Sequence, residues 1–327
     1  MQAKIKSIGK RVLRLPFPGA VGVRGDAVFP GITFLAGLAL VALILFMVYQ
    51  MTTVSLPALQ KYGAGFLTGT TWDAVNQNFG ALPAIFGTLV TSCIALLIAV
   101  PVSIGAAIFL AELAPSRVGG VASFLVELLA AIPSVVYGLW GIFVLVPIVG
   151  HVEAFLGKYL GFVPLFKGAI FGGYGMLSGG VILAIMILPL VTATTRDIIR
   201  MVPSTQKEAM LALGATRWET IRKAVLPYGK SGIMGAVILG LGRALGETMA
   251  VTMVIGNAYK INPSLFSSGN TLASQIALQF PEATGGLYTS ALLEMGLILL
   301  GITLVVNILA RLLVWRTTRA PRVGVKA

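Results

Sequence analysis

Six long apolar stretches run through this sequence, at about 30–51, 84–111, 119–149, 179–195, 231–257 and 288–311. A bilayer core about 30 Å thick takes about 20 residues of helix to cross. Backbone in lipid must satisfy its own polar groups, which leaves helices or closed barrels, and runs of this length are helical. The chain is therefore expected to be an all-α membrane protein with six transmembrane helices. Composition agrees, since only 11% of the 327 residues are charged, against roughly a quarter in a soluble protein. The first run follows basic residues, as in a signal peptide. Its uncharged length from Ala27 to Gln60 is too great for that, and it has no obvious small-residue cleavage site. It reads as an uncleaved span. The third run carries Pro133 and Pro147, which predicts a helix kink at Pro133 or a re-entrant end.

The net charge of +13 is a topology signal rather than a nucleic-acid footprint. With loops assigned alternately to the two sides, nineteen Lys and Arg fall on one side and four on the other, with Arg243 inside a span. Such an excess marks the cytoplasmic face, so both termini are expected there, in an inner, multi-pass membrane protein. Single Cys93 and single His151 exclude a disulfide framework or a Cys/His metal cluster within one chain. Cys93 reads as a small core hydrophobe and His151 as a loop residue. The other side's loops are rich in Gly, Ser, Thr and Asn, which suits either an external partner or a cap on the bundle.

One large loop, 196–230, lies on the basic side. Thr205 with Glu208, and Thr216 with Glu219, fit two capping boxes. Gly214 stands between them, where a helix can end in the left-handed conformation. Pro227 is expected to stop the second helix. The reading is two short helices joined by a tight turn, with Trp218, Ile221 and Val225 on one face of the second. Both ends are tied to spans, which argues against a helix-turn-helix DNA reader.

Within this loop, Glu208-Ala209-Met210, then Gly214-Ala215, then Leu226-Pro227 resembles the EAA motif of ABC importer permeases. Met210 replaces the motif's second Ala and Ala224 its Ile; both are compatible with a helix. The resemblance implies a type I importer permease fold with a MetI-like core, and a coupling helix that docks on a separate ATPase. Nearby Gly229-Lys230-Ser231 imitates the end of a phosphate-binding loop, but the required earlier glycine is Ala224. No cofactor is therefore expected on this chain; ATP and Mg would be used by the partner ATPase.

Three further stretches resemble the phosphate permeases. They are Leu128 to Gly141 around Pro133-Ser134 and Tyr137, Gly240 to Val251, and Gly80 to Ser103. Of the two paired subunit types, the likeness is to the PstC type more than to the PstA type. It implies a homologous PstA-type partner subunit, two ATPase subunits and an external phosphate-binding protein. Residues 1–70 would supply a basic tail, one span and part of an outer loop, and 71–320 the five-helix core.

Arg243 and Glu247 sit in the fifth run. An unpaired Arg or carboxylate at mid-membrane costs about 2.5 to 3.5 kcal/mol, and a spacing of four would let the two share a helix face. Gly242 and Gly246 would form a small-residue face for close helix contact. The pair is expected either to line a phosphate path or to be a structural ion pair. Another oxyanion (phosphonate, sulfate or molybdate) is the alternative cargo. A secondary transporter relaying protons through Glu127, Glu247 and Glu294 is the alternative class, and a non-transporting scaffold is disfavoured by the buried charges.

Overall fold

The computed structural model describes residues 23–168 and 172–318, with side chains over 29–315. The basic tail before residue 23, and Arg319, Arg322 and Lys326, lie outside the described residues. The chain divides into two units, one ending at Gln50 and one beginning at Met51. Helix α1 (Val23–Tyr62) supplies the first unit and the start of the second. The second unit holds α2 (Leu82–Leu113), α4 (Ser134–Leu160), α5 (Met176–Arg200) and α7 (Arg217–Gly246). Between and after them come α3 (Ser116–Ala130), α6 (Ser204–Ala212), α8 (Met249–Val254), α9 (Leu272–Gln279) and α10 (Gly286–Thr318). Six of these helices are long and apolar enough to cross a membrane: α1, α2, α4, α5, α7 and α10.

Helix α5 is the hub of the second unit. Its Ile182, Leu183, Met186 and Ile187 are buried against Ala95 and Ala99 of α2, Tyr137 and Leu145 of α4, and Val251 and Val254 of α8. Its first turn carries N–H groups without helical acceptors. Met176 and Leu177 donate theirs to the carbonyls of Ser267 (3.1 Å) and Leu265 (2.9 Å). The loop that supplies these acceptors is itself buried, including Ser264, Ser267 and Asn270. It packs so closely that a Cβ on Gly87 would stand 1.9 Å from the Asn270 oxygen. That Ser- and Asn-rich segment packs onto the bundle as a cap. A two-strand hairpin, β1 (Trp72–Asp73) with β2 (Asn78–Phe79), closes the same end. Phe79 stacks on Tyr288 and Trp72 lies against Tyr259. The Asp73 carboxylate accepts from the Asn76 and Val75 N–H groups, which holds it below the usual carboxylate range.

Several boundaries differ from those expected. The third run is two helices, α3 and α4, and the spanning one is Ser134–Leu160. Pro133 does not kink a helix; it stands at the N-cap of α4 with φ −59° and ψ 141°. Proline is pre-set for this place, having neither the N–H nor the free φ that a helix interior needs. His151 therefore lies within α4 rather than in a loop, and Cys93 is exposed on α2 rather than in the core. Nor does Pro227 end a helix, because α7 runs on through it. A π-helical turn at Ile221–Val225 precedes it. A second such turn, Gly141–Leu145, precedes Pro147. The wider i→i+5 turn shifts the bonding register, so the helix passes a residue without an N–H. The fifth run breaks after Gly246, where Glu247 is extended (ψ 130°) before α8.

Candidate coupling loop and translocation site

The loop between α5 and α7 has the expected helix–turn–helix shape, with one correction. Pro203 is the N-cap of α6 and no side chain caps it. Thr205 thus lies inside the first turn, and the expected Thr205–Glu208 capping box is absent. Gly214 has φ +82°. Its N–H donates to the Leu211 carbonyl (2.9 Å), and that of Ala215 donates to Met210 (3.1 Å). These two bonds are the Schellman pattern, which closes a helix with a left-handed glycine. The Thr216–Glu219 capping box then starts α7. Ile221 and Val225 are buried beneath, with Ala107, Ile108 and Ile199. Trp218 does not join that face and is 60% exposed, and Leu211 and Leu213 are exposed too. Glu208 and Ala209 are also exposed. The result is a knob closed by a tight turn, with apolar and charged side chains exposed together. Lys207 fastens it to the end of α2 through Glu112 at 2.5 Å.

Two segments far apart in sequence meet in the bundle. A Cβ on Gly138 would lie 2.4 Å from the Met253 sulfur and 3.2 Å from the Ala250 Cα. One on Gly141 would lie 2.8 Å from Val254 Cγ1. Glycine at both places lets the Pro133–Gly141 segment lie against α8. Arg243, three residues before the end of α7, is half-buried and within electrostatic reach of the Tyr137 hydroxyl. Glu247 follows the end of α7, so it shares no continuous helix face with Arg243. Among the described residues the two form no ion pair. One Glu247 oxygen instead accepts from the Ala250 N–H at 3.3 Å.

Arg243 lines a cavity of about 740 Å³ between α5, α7 and α10, together with Gly235, Gly242, Asn307 and Arg311. A Cβ on Gly242 or Gly246 would meet nothing within 4 Å. These glycines therefore border open space and make no close helix contact, contrary to expectation. Elsewhere, Glu127 is committed to Arg196 (2.8 Å), which also holds Asp197 (2.7 Å). Glu294 is 4% exposed, with one oxygen lacking a hydrogen-bond partner. Sequence reasoning missed Glu153, on α4, whose side chain is wholly buried with neither oxygen bonded. Its spacing from Val146 and Val149 would have revealed a buried helical face had the segment not been read as a loop. Gly229, Lys230 and Ser231 lie within α7, not in a loop after a strand.

Residues 103–319 match the family model of binding-protein-dependent transport system inner membrane components, and the chain belongs to that family. It is thus a multi-pass inner-membrane transport subunit of an ABC importer, and ATP hydrolysis belongs to a separate subunit. Among similar proteins is the phosphate transport system permease protein PstC of Mesorhizobium japonicum, 46% identical over 295 residues, 89% of this chain and 90% of that one. PstC of Pasteurella multocida is 49% identical over 79% of this chain and 82% of its own. The fold is shared with a bacterial ABC transporter involved in import of the polysaccharide alginate (TM-score 0.57, 19% identity, 90% of this chain and 100% of that one). It is also shared with the inward-facing MetNI methionine transporter (TM-score 0.50, 19% identity, 73% of this chain and 95% of that one). Membership implies an ATPase and a substrate-binding partner.

Proposed function

We propose that this chain carries inorganic phosphate across a prokaryotic inner membrane, forming the path with a second, PstA-type permease subunit. Two ATPase subunits act beneath it and an external phosphate-binding protein delivers the cargo. The observation that carries the reading is the Gly214 turn. It presents Glu208, Ala209 and Gly214 on an exposed knob with Ala215 half-buried beside them, and Leu226-Pro227 stand on the same α7 helix that continues to Arg243. A push on the knob would thus be transmitted along one rigid element toward the cavity. The partner ATPase holds ATP and Mg; this chain supplies the five-helix core, 71–320, and the lever.

Phosphate suits the path better than sulfate. Guanidinium offers a planar fork of donors to an oxyanion. Near neutral pH phosphate keeps a proton that it can donate to a carboxylate, whereas sulfate would face Glu247 with an unpaired acceptor. Among the described residues, one Glu247 oxygen has no hydrogen bond and remains available. Cells lacking this chain should regain uptake of labelled phosphate, not of labelled sulfate, when it is restored. Restored sulfate uptake would transfer the reading to that anion.

The orientation follows from the nineteen-to-four charge asymmetry, which puts both termini, Ser116 and Ser204 in the cytoplasm. Single cysteines at Ser116 and Ser204, in a Cys93→Ala background, should resist a membrane-impermeant thiol reagent in intact cells. Ready labelling at either position would reverse the topology.

A further inference from the structure

Arg311 has no place in the sequence signature of the site, yet it borders the same cavity as Arg243. Leu304, Asn307, Ile308 and Arg311 recur at helical spacing on one face of α10 and supply that cavity's far wall. Opposite them Gly235 and Gly242, two turns apart, leave open space where side chains would stand. The lining contains two guanidinium groups and one amide, and no carboxylate. Neither arginine has an ion-pair partner among the described residues. A space so equipped suits an anion and nothing cationic.

Arg311 also borders a second cavity, of about 390 Å³, with Ser231, Gly235, Val314 and Trp315. It therefore stands between the space that holds Arg243 and one nearer the start of α7, the coupling-loop end. Arg311 is exposed on that face of α10 and borders both of these open grooves, where a plain membrane-surface anchor would need neither.

We propose that Arg311 and Asn307 form a second oxyanion-binding position on the cytoplasmic side of Arg243, to which the anion passes before release. This rests on the reading of Arg243 as a path residue and on the cytoplasmic placement of the coupling loop. Two positions in series let an anion leave the first cation without entering lipid or water unpaired, and each can be weak enough to release it.

The test uses the whole complex in proteoliposomes, with Arg311→Gln, Arg311→Lys and Arg243→Gln compared for uptake of labelled phosphate. Arg311→Gln should transport about tenfold more slowly, and Arg311→Lys should recover part of the loss. Asn307→Cys in a Cys93→Ala background gives a second readout. An anionic methanethiosulfonate should modify it about tenfold faster than a cationic one of similar size, and inorganic phosphate should slow that reaction. A residue acting only as a membrane anchor would produce no phosphate protection. If Arg311→Gln does not assemble, the cysteine assay alone decides. Equal rates with both reagents, unaffected by phosphate, would overturn the proposal. Normal uptake by Arg311→Gln with loss in Arg243→Gln would remove only the second position; normal uptake by Arg243→Gln would remove the path reading itself.

Discussion

Gly214→Pro should insert normally in the membrane but lose the ATPase on co-purification, and with it phosphate uptake. Gly214 has φ +82°, whereas the proline ring fixes φ near −65°. The substitution also deletes the N–H that donates to Leu211. Both halves of the turn are lost together, at about 3 kcal/mol or more. Alanine keeps the N–H and, with no neighbour within 4 Å, meets no clash. Its cost is the left-handed backbone alone, about 1 to 2 kcal/mol. Retained ATPase should therefore fall by more than about tenfold for proline, with alanine intermediate, since each 1.4 kcal/mol is about tenfold in binding. Glu208→Arg tests the exposed face of the same knob without touching the turn, and should also weaken retention. If Gly214→Pro and Glu208→Arg both hold the ATPase and transport normally, the loop is not the docking element.

The second large effect is expected at the break between α7 and α8. Arg243→Lys keeps the charge but loses the planar fork, and those two side chains are not equivalent at such a site. Glu247→Gln keeps the shape and the bond to Ala250 but removes the negative charge. A structural ion pair would make both variants fail to assemble. The structure weakens that reading, because Glu247 leaves the helix and pairs with the Ala250 N–H instead. Both variants should assemble, with phosphate uptake reduced by about tenfold or more. Glu247→Gln should also discriminate less well against sulfate, since its amide can donate to a fully deprotonated anion. Normal uptake by both would remove Arg243 and Glu247 from the path.

The spans were legible because lipid leaves little choice: the runs at 84–111, 179–195 and 288–311 lie within α2, α5 and α10. Hydrophobicity does not see where a helix breaks inside apolar sequence, so Ala-Ile-Pro-Ser at 131–134 read as a kink rather than as a helix start. It also cannot see π-helical turns, although a proline stands two residues beyond those at 141–145 and 221–225. The Gly214 turn and the Thr216–Glu219 box were readable, since local backbone chemistry decides them. Thr205–Glu208 was misread because Pro203 moves the helix start. The meeting of the Pro133–Gly141 segment with α8, and the cavity beside Gly242, depend on contacts across the bundle. A glycine in sequence looks the same whether it admits a neighbour or leaves a space.

The proposed cycle is driven by ATP through the coupling loop, and Glu127 is already held by Arg196, which leaves a proton relay without one of its members. The direct measurement is uptake of labelled phosphate by proteoliposomes holding the whole complex, with the binding protein outside and nucleotide inside. Uptake should require hydrolysable ATP, survive a proton ionophore, and be outcompeted by unlabelled phosphate but not by sulfate. Uptake that continues without ATP and collapses with the ionophore would contradict the account.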